Sequence, residues 1–454
     1  MKKQVFIISG LVLALSSCND NAASTKSKVK LVTLDPGHFH AALVQKSMYD
    51  DVDSMVYVYA PTGQDLQFHL DRIKGYNTRT ENPTHWNEQV YTGNDFFEKL
   101  IAEKKGNVVV LSGNNKKKTD YILQSLQNGF NVLADKPMVI DATGFEKIKQ
   151  AFETASKNNL LLYDIMTERF EINTVLQREL SMMPEIFGTL EKGTAENPAV
   201  TIEGVHYFYK YVSGAVLTRP AWFVDVSQQG EGIVDVMTHL VDLVQWECFP
   251  EQVIDYSKDI QVNTAGRWAT NIALSQFKEV TKQDSFPSFL NPNITDTILK
   301  VFCNGEINYT LKGVYAKTSV IWNYKPTDGT GDTHYSFMRG TKANLVIRQG
   351  ADEQFKPALY IEPLPAYRSI NMNEAIATLK SKYPGIELKE TKTGWQVIIP
   401  EKYKEGHEAH FARVTENFIE YLKNKNIPVW EVPNMIAKYY TTTKGLETAL
   451  KNNK

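Results

Sequence analysis

Val132-Leu133-Ala134-Asp135-Lys136-Pro137-Met138 decides the fold. An apolar run leaves Gly129-Phe130-Asn131 and stops at an acid, a lysine and a proline. Pro137 has no N–H to give a sheet ladder, and it pushes Lys136 out of helical conformation. A strand therefore ends here, with Asp135 and Lys136 at its carboxyl end. In open α/β sheets that edge is where ligands bind. The plain alternative is an ordinary strand-to-helix turn.

Upstream, residues 30–34 form a short apolar strand that breaks at Asp35-Pro36-Gly37, and 38–44 read as a helix. Residues 54–59 are a second strand ending at Ala60-Pro61. The polar stretch 62–88, with Pro83, His85 and Trp86, reads as a loop or lid. Residues 95–103 are helical. A third strand, 107–111, ends in Ser112-Gly113-Asn114-Asn115, and the helix after it stops at Gly129. A helix over 142–156 and a strand over 160–165 follow the opening strand. Strands alternating with helices specify a doubly wound parallel sheet, so residues 29–165 are Rossmann-like.

After residue 165 the pattern changes. Short segments rich in Tyr, Val, Ile and Thr fall at 201–211, 255–262, 276–280, 298–301, 307–311, 319–323, 335–338 and 344–348. They predict a C-terminal α+β domain over 166–454 with a large, mostly antiparallel open sheet. Residues 408–423 and 434–450 have helical periodicity, with Pro428 and Pro433 between them.

The chain has 454 residues, 42% hydrophobic and 22% charged, with a formal net charge of -2. That balance excludes a polyanion-binding protein, and Lys116-Lys117-Lys118 is too short for a basic tail, so no nucleic-acid partner is expected. Met1-Lys2-Lys3, an apolar run from Val5 to Leu15, and Ser16-Ser17-Cys18 read as a signal peptide over 1–17. The cysteine after small residues resembles a bacterial lipobox, which would lipidate Cys18 and leave 18–28 as a polar tether. The protein would then sit on the periplasmic or cell-surface side of a membrane, held only through that lipid. The alternative is a soluble secreted protein cut nearby. Cys248 and Cys303 fit no zinc or redox spacing; two buried thiols are the favoured reading, a disulfide in an oxidising compartment the alternative, and no metal is expected.

A dinucleotide fold wants G-x-G-x-x-G after its first strand, so that backbone amides and a helix N-terminus hold the pyrophosphate. Here only Gly37 is present, and Asp35 suits a phosphate badly. The second strand ends in Ala60-Pro61 without the usual acid for a ribose hydroxyl. The alternative is a Rossmann sheet that binds no dinucleotide. A second cluster runs from Trp222 through Gly230-Glu231-Gly232 to Asp235, His239 and Asp242. Asp235 and His239 are four apart and would share a helical face. A histidine there can move a proton near neutral pH while the carboxylate binds a substrate hydroxyl. A half-buried histidine in a packing helix is the bland reading.

Together these stretches resemble the Gfo/Idh/MocA family, the glucose–fructose oxidoreductases and inositol dehydrogenases. The family's Glu-Lys-Pro is matched by Asp135-Lys136-Pro137. Its Gly-Gly-x-x-x-Asp-x-x-x-His-x-x-Asp is matched by Gly230 to Asp242, and Arg169-Phe170 matches its Arg-Phe. Gly37-His38-Phe39-His40-Ala41 matches a Gly-x-x-His-Ala segment in one register. The C-terminal part is similar to a Bacteroidota-type lipoprotein subgroup. The resemblance implies hydride transfer between a sugar or cyclitol carbon and NAD or NADP. It implies Lys136 and His239 on the reacting hydroxyl, with His239 favoured as base, and Asp235 on its neighbour. Arg169 and Trp222 would bind substrate. Gly37, His38, His40, Asn114, Asn115, Asp135, Lys136 and Pro137 would line the cofactor, and a homo-oligomer would form through the second sheet. An envelope lipoprotein meets no soluble nicotinamide pool, so the cofactor would be tightly bound and recycled. Two further readings stand beside this one: a redox-neutral NAD-dependent glycoside-cleaving enzyme, and a non-catalytic carbohydrate-binding lipoprotein.

Overall fold

The computed structural model describes residues 28–452 apart from 213, 328, 329 and 370. The signal segment, Cys18 and nearly all of the tether lie outside the described residues. Six parallel strands build the first sheet: β1 (Leu31–Leu34), β2 (Met55–Tyr59), β3 (Asn87–Tyr91), β4 (Val108–Leu111), β5 (Asn131–Asp135) and β6 (Leu162–Ile165). Their order is β3-β2-β1-β4-β5-β6. Strands β1, β4, β5 and β6 are buried along their whole length, as a parallel sheet covered on both faces requires.

The stretch expected as a loop or lid is ordered. It carries a helix, Gln64–Thr78, and the edge strand β3. Leu66, His69, Ile73 and Tyr76 form that helix's buried stripe, thinly spread among polar residues. Strand β3 has no buried residue, so its sequence lacks an apolar signal.

The second domain adds β7 (Val200–Tyr207), the small hairpin β8 (Tyr211–Val212) and β9 (Ala215–Val216), β10 (Ile260–Ala273), β11 (Ile294–Thr295), β12 (Ile298–Leu311), β13 (Val314–Asn323), β14 (Thr333–Arg339), β15 (Ala343–Arg348), β16 (Ala358–Pro363), β17 (Glu387–Glu390) and β18 (Trp395–Ile398). The main path is β10-β12-β13-β7-β14-β15-β16-β18-β17, with β11 beside β12. Every pairing is antiparallel except β13 with β7. The fold is thus a Rossmann-type parallel sheet joined to a mixed, mostly antiparallel one. Two segments expected as strands differ: of residues 255–262 only 260–262 are strand, the start of the longer β10, and residues 276–280 lie inside the helix Leu274–Thr281. That helix buries Phe277, Val280 and Thr281, a spacing of three and four.

The chain finally turns back. Phe411, Val414, Phe418 and Ile419 of the helix His407–Asn424 sit in the first sheet's core, with Met435 and Tyr439 of the helix Glu431–Asn452. Ala437, Leu446 and Ala449 of that last helix join the second domain's core. Cys248 and Cys303 are free thiols. No described helix is long and apolar enough to cross a membrane.

A histidine-lined candidate active site at the sheet edge

Strand β5 carries its apolar residues into the first core and delivers Asp135, 2% exposed, to the sheet's carboxyl edge. The buried ammonium of Lys118 donates to Asp135 Oδ1 and, at 3.2 Å, to its backbone carbonyl. His38 Nδ1 and His40 Nδ1 both lie 3.1 Å from Asp135 Oδ2. Burial alone would raise the Asp135 carboxyl. The Lys118 charge and the two histidine hydrogen bonds outweigh it and hold Asp135 well below the usual carboxylate range. Burial in turn pushes both imidazoles below their ordinary value.

Lys136 points the other way, with Nζ 2.9 Å from Asp235 Oδ1. Gln229 Nε2 donates to the other Asp235 oxygen at 3.0 Å. Burial would raise Asp235, and Lys136 and Gln229 instead bring it down. The glycines ahead of Asp235 have a steric cause. Gly230 adopts φ 95°, and a Cβ on Gly232 would lie 1.8 Å from the Cys303 carbonyl oxygen, so the turn presses against β12. The helix begins only at Met237, so Asp235 sits in the turn before it rather than on a helical face shared with His239. Its amide still donates to the Glu231 carbonyl at 2.9 Å. His239 is buried and its Nδ1 has no hydrogen-bond partner. Burial, then the Lys136 charge, pushes it down to about 3.

His38, His40, Lys136, Gln229, Asp235 and His239 line one cavity of about 410 Å³ between the two sheets. Seven of the chain's nine histidines face it: His38, His40, His206, His239, His334, His407 and His410. Its far wall holds Asp332, which accepts from His206 Nδ1 at 3.1 Å and from Lys210 Nζ at 2.6 Å. Glu168 sits 3.4 Å from His407 Nε2. Burial would raise Glu168, and His407 holds it well below its usual range. Trp322 and Phe223 supply aromatic surface, and Arg219 stacks 4.2 Å over the Phe223 ring.

The remaining expected residues lie elsewhere. Arg169 donates to Asp242 at 2.6 and 2.8 Å and to Glu431 at 2.9 and 3.0 Å, and it does not line the cavity. Its guanidinium is committed to a buried network that includes Lys438, 2.8 Å from Asp242 and 2.7 Å from Asp164. Trp222 lies against Gly37 and donates Nε1–H to Asp65 at 2.8 Å. Asn114 donates to the Gln228 side chain and Asn115 to the Gln229 carbonyl, both at 2.7 Å, so they tie the two domains together. The Lys136–Pro137 peptide is cis. Sequence reasoning missed Lys118, Glu168, His206, Asp332, His334, His407 and His410. The available signal was the concentration of histidine in His38-x-His40 and His407-x-x-His410.

Residues 37–163 match the family described as "Oxidoreductase family, NAD-binding Rossmann fold", and residues 176–450 match the "Putative oxidoreductase C terminal domain". The chain is similar to an oxidoreductase of Parabacteroides merdae whose crystal structure is known. The two share 55% identity over 94% of this chain and 98% of that one, with a TM-score of 0.91. At fold level it resembles a Sinorhizobium meliloti protein described as a "putative myo-inositol dehydrogenase", at 12% identity over 94% and 98% of the chains and a TM-score of 0.54. It also resembles a 3-ketoreductase of Actinomadura kijaniata in complex with NADP, at 12% over 93% and 98% and a TM-score of 0.55. No curated protein matches the chain. The two matched segments and the Parabacteroides relative establish that this chain belongs to the Gfo/Idh/MocA oxidoreductase family.

Proposed function

We propose that the histidine-lined cavity is the active site of an oxidoreductase acting on a hydroxyl of a sugar, cyclitol or glycoside. The carrying observation is the Lys136–Asp235 pair, 2.9 Å apart, on the wall of the same 410 Å³ cavity as His239. Cationic donors, neutral imidazoles, carboxylates and aromatic faces together suit a polyhydroxylated ring. In this reading Lys136 donates to the reacting oxygen and steadies its developing charge, and Asp235 holds Lys136 in place. His239 accepts the hydroxyl proton. An imidazole near 3 is a weak base, so its proton affinity must rise once substrate binds. Glu168 is the carboxylate that pulls in that direction.

A nicotinamide dinucleotide would supply the hydride acceptor in this family. The chain keeps the sheet such a group needs but lacks its phosphate cradle. Asp35, at φ 46°, holds the left-handed conformation that favours glycine and puts a carboxylate in the turn after β1. A Cβ on Gly37 would meet Asp65 Oδ2 at 2.9 Å and the Trp222 ring at 3.0 Å, so side chains already cover that face. The groove beyond, about 370 Å³, carries Asp35 and Asp65 and, among the described residues, no lysine or arginine in its lining. His38 and His40 fill the approach to Asp135. These residues do not fit a pyrophosphate seated in the Rossmann manner, so the hydride leaving the carbinol carbon needs an acceptor held in another way, a nicotinamide in a different pose or the carbonyl of a second substrate. That misfit favours a second reading, carbohydrate binding without turnover.

Two measurements decide between them. Purified protein is screened against sugars, cyclitols and glycosides by calorimetry and product analysis, with wild type beside His239→Ala and Lys136→Met. Turnover lost in both variants, with binding kept, supports the enzyme; binding without turnover in wild type supports the second reading. Denatured protein is also assayed for released NAD(H) or NADP(H), and a stoichiometric nucleotide would restore the hydride route. Lipid anchoring at Cys18 on the outer side of a bacterial membrane belongs to the same proposal, and labelled fatty acid should enter wild type but not Cys18→Ala. A homo-oligomer through the second sheet is its last part, read by light scattering.

A further inference from the structure

We propose that His38, His40 and Asp135 form a binding site for a divalent transition-metal cation in the cavity wall. One potential ligand atom from each residue, His38 Nδ1, His40 Nδ1 and Asp135 Oδ2, lies within 4.8 Å of the others. Each imidazole nitrogen is 3.1 Å from the carboxylate oxygen. With metal–ligand bonds of about 2.0–2.2 Å, neighbouring ligands in a tetrahedral or octahedral shell stand about 2.9–3.5 Å apart. The two rings converge, with centroids 3.9 Å apart and planes at 74°.

The surroundings are those of a ligand set held in advance. Lys118, 2% exposed, takes the other Asp135 oxygen and the backbone carbonyl, so Asp135 is left with one oxygen to offer and a fixed orientation. Ligating carboxylates are themselves hydrogen-bonded in this way. Without a metal, an ionised carboxylate can only accept, so both Nδ1 atoms must carry hydrogen to satisfy one oxygen. A cation takes the Nδ1 lone pairs in place of those two hydrogens, and each neutral imidazole then carries its hydrogen on Nε2.

Two imidazoles and one carboxylate select zinc, cobalt, iron or a similar borderline ion over magnesium or calcium. Three protein ligands leave at least one position, and His38 and His40 both border the cavity. The charges nearby already cancel, Lys118 against Asp135 and Lys136 against Asp235. An incoming dication therefore favours an anionic oxygen as its next ligand, a hydroxide or a substrate alkoxide. The site stands whether or not the cavity's substrate is a carbohydrate.

The test uses the whole protein, stripped with chelator and titrated with Co²⁺ and then Zn²⁺. One equivalent of Co²⁺ should bind with visible bands of mixed nitrogen and oxygen coordination, and Zn²⁺ should displace it. His38→Ala and His40→Ala should each weaken binding at least tenfold. X-ray absorption of zinc-loaded wild type, which depends on no variant folding, should count two imidazoles. Failure to bind one equivalent would overturn the proposal. So would an imidazole count other than two, or binding that survives both histidine changes and disappears in His407→Ala.

Discussion

Lys136 Nζ lies 2.9 Å from Asp235 Oδ1, joining the end of the first sheet's β5 to the turn before a second-domain helix. Both side chains are under 10% exposed. Lys136→Met alone or Asp235→Asn alone should therefore lower stability by about 3–5 kcal/mol, because each leaves or weakens an unpaired buried charge. The double variant should recover much of that loss, since neither charge then remains. Urea unfolding of all four proteins measures the coupling, and additive losses would show the pair to be energetically idle.

His239, His334 and His410 are all held below their ordinary value, His239 to about 3 and His334 to about 4, burial being the first cause in each. Unfolded histidines titrate near 6.5. Between these limits the unfolded chain binds more protons, so stability falls as pH drops below about 6.5. Each fully buried histidine contributes up to about 1.4 kcal/mol per pH unit in that window. Melting temperature recorded from pH 8 to 4 should decline before carboxylates protonate. His334→Asn should flatten the slope.

Arg169 faces two carboxylates of unlike character. Burial would raise Asp242, but Arg169 and Lys438 pull it well down, whereas burial wins at Glu431 and pushes it up. Asp242 is thus held ionised to lower pH than Glu431. Its folded value lies below its unfolded one, so its stabilisation is present above about pH 3.9 and is lost as pH falls. Asp242→Asn should cost about 3–5 kcal/mol at pH 7 and about 1 kcal/mol less at pH 3. An equal loss at both values would contradict this account.

Gly232→Ala should destabilise by about 1–3 kcal/mol or more, because its Cβ would meet the Cys303 carbonyl at 1.8 Å. Gly129, with φ 86° but open space around it, should lose stability by strain alone when changed to alanine. Thermal denaturation of the two variants separates crowding from conformation.

If charge at the turn excludes dinucleotides, Asp35→Gly combined with Asp65→Asn should give measurable NAD⁺ binding by calorimetry where wild type gives none. Equal heats in the two proteins would place the obstacle in Trp222 instead.

Much of this was legible from local sequence, and the reasons are specific. The end of β5 shows because an apolar run meets Pro137, and a proline's geometry does not depend on its neighbours. The helix Gln64–Thr78 did not show, because its four buried residues are diluted by polar ones and one of them is His69. Lys136, Asp235 and His239 could be paired before their distances were known, since each sits beside a local signal. Arg169 is expected at the substrate instead of in a buried ion network, because its partners Asp242 and Glu431 lie 73 and 262 residues away. The cavity's far wall was hidden for the same reason: His206 and Asp332 meet across 126 residues.

The last helix, Glu431–Asn452, has a consequence for how the protein folds. Met435 and Tyr439 close one core while Ala437, Leu446 and Ala449 close the other, and Lys438 holds an acid from each side. Neither half can finish its interior until this helix has docked, so the two halves close together rather than one after the other.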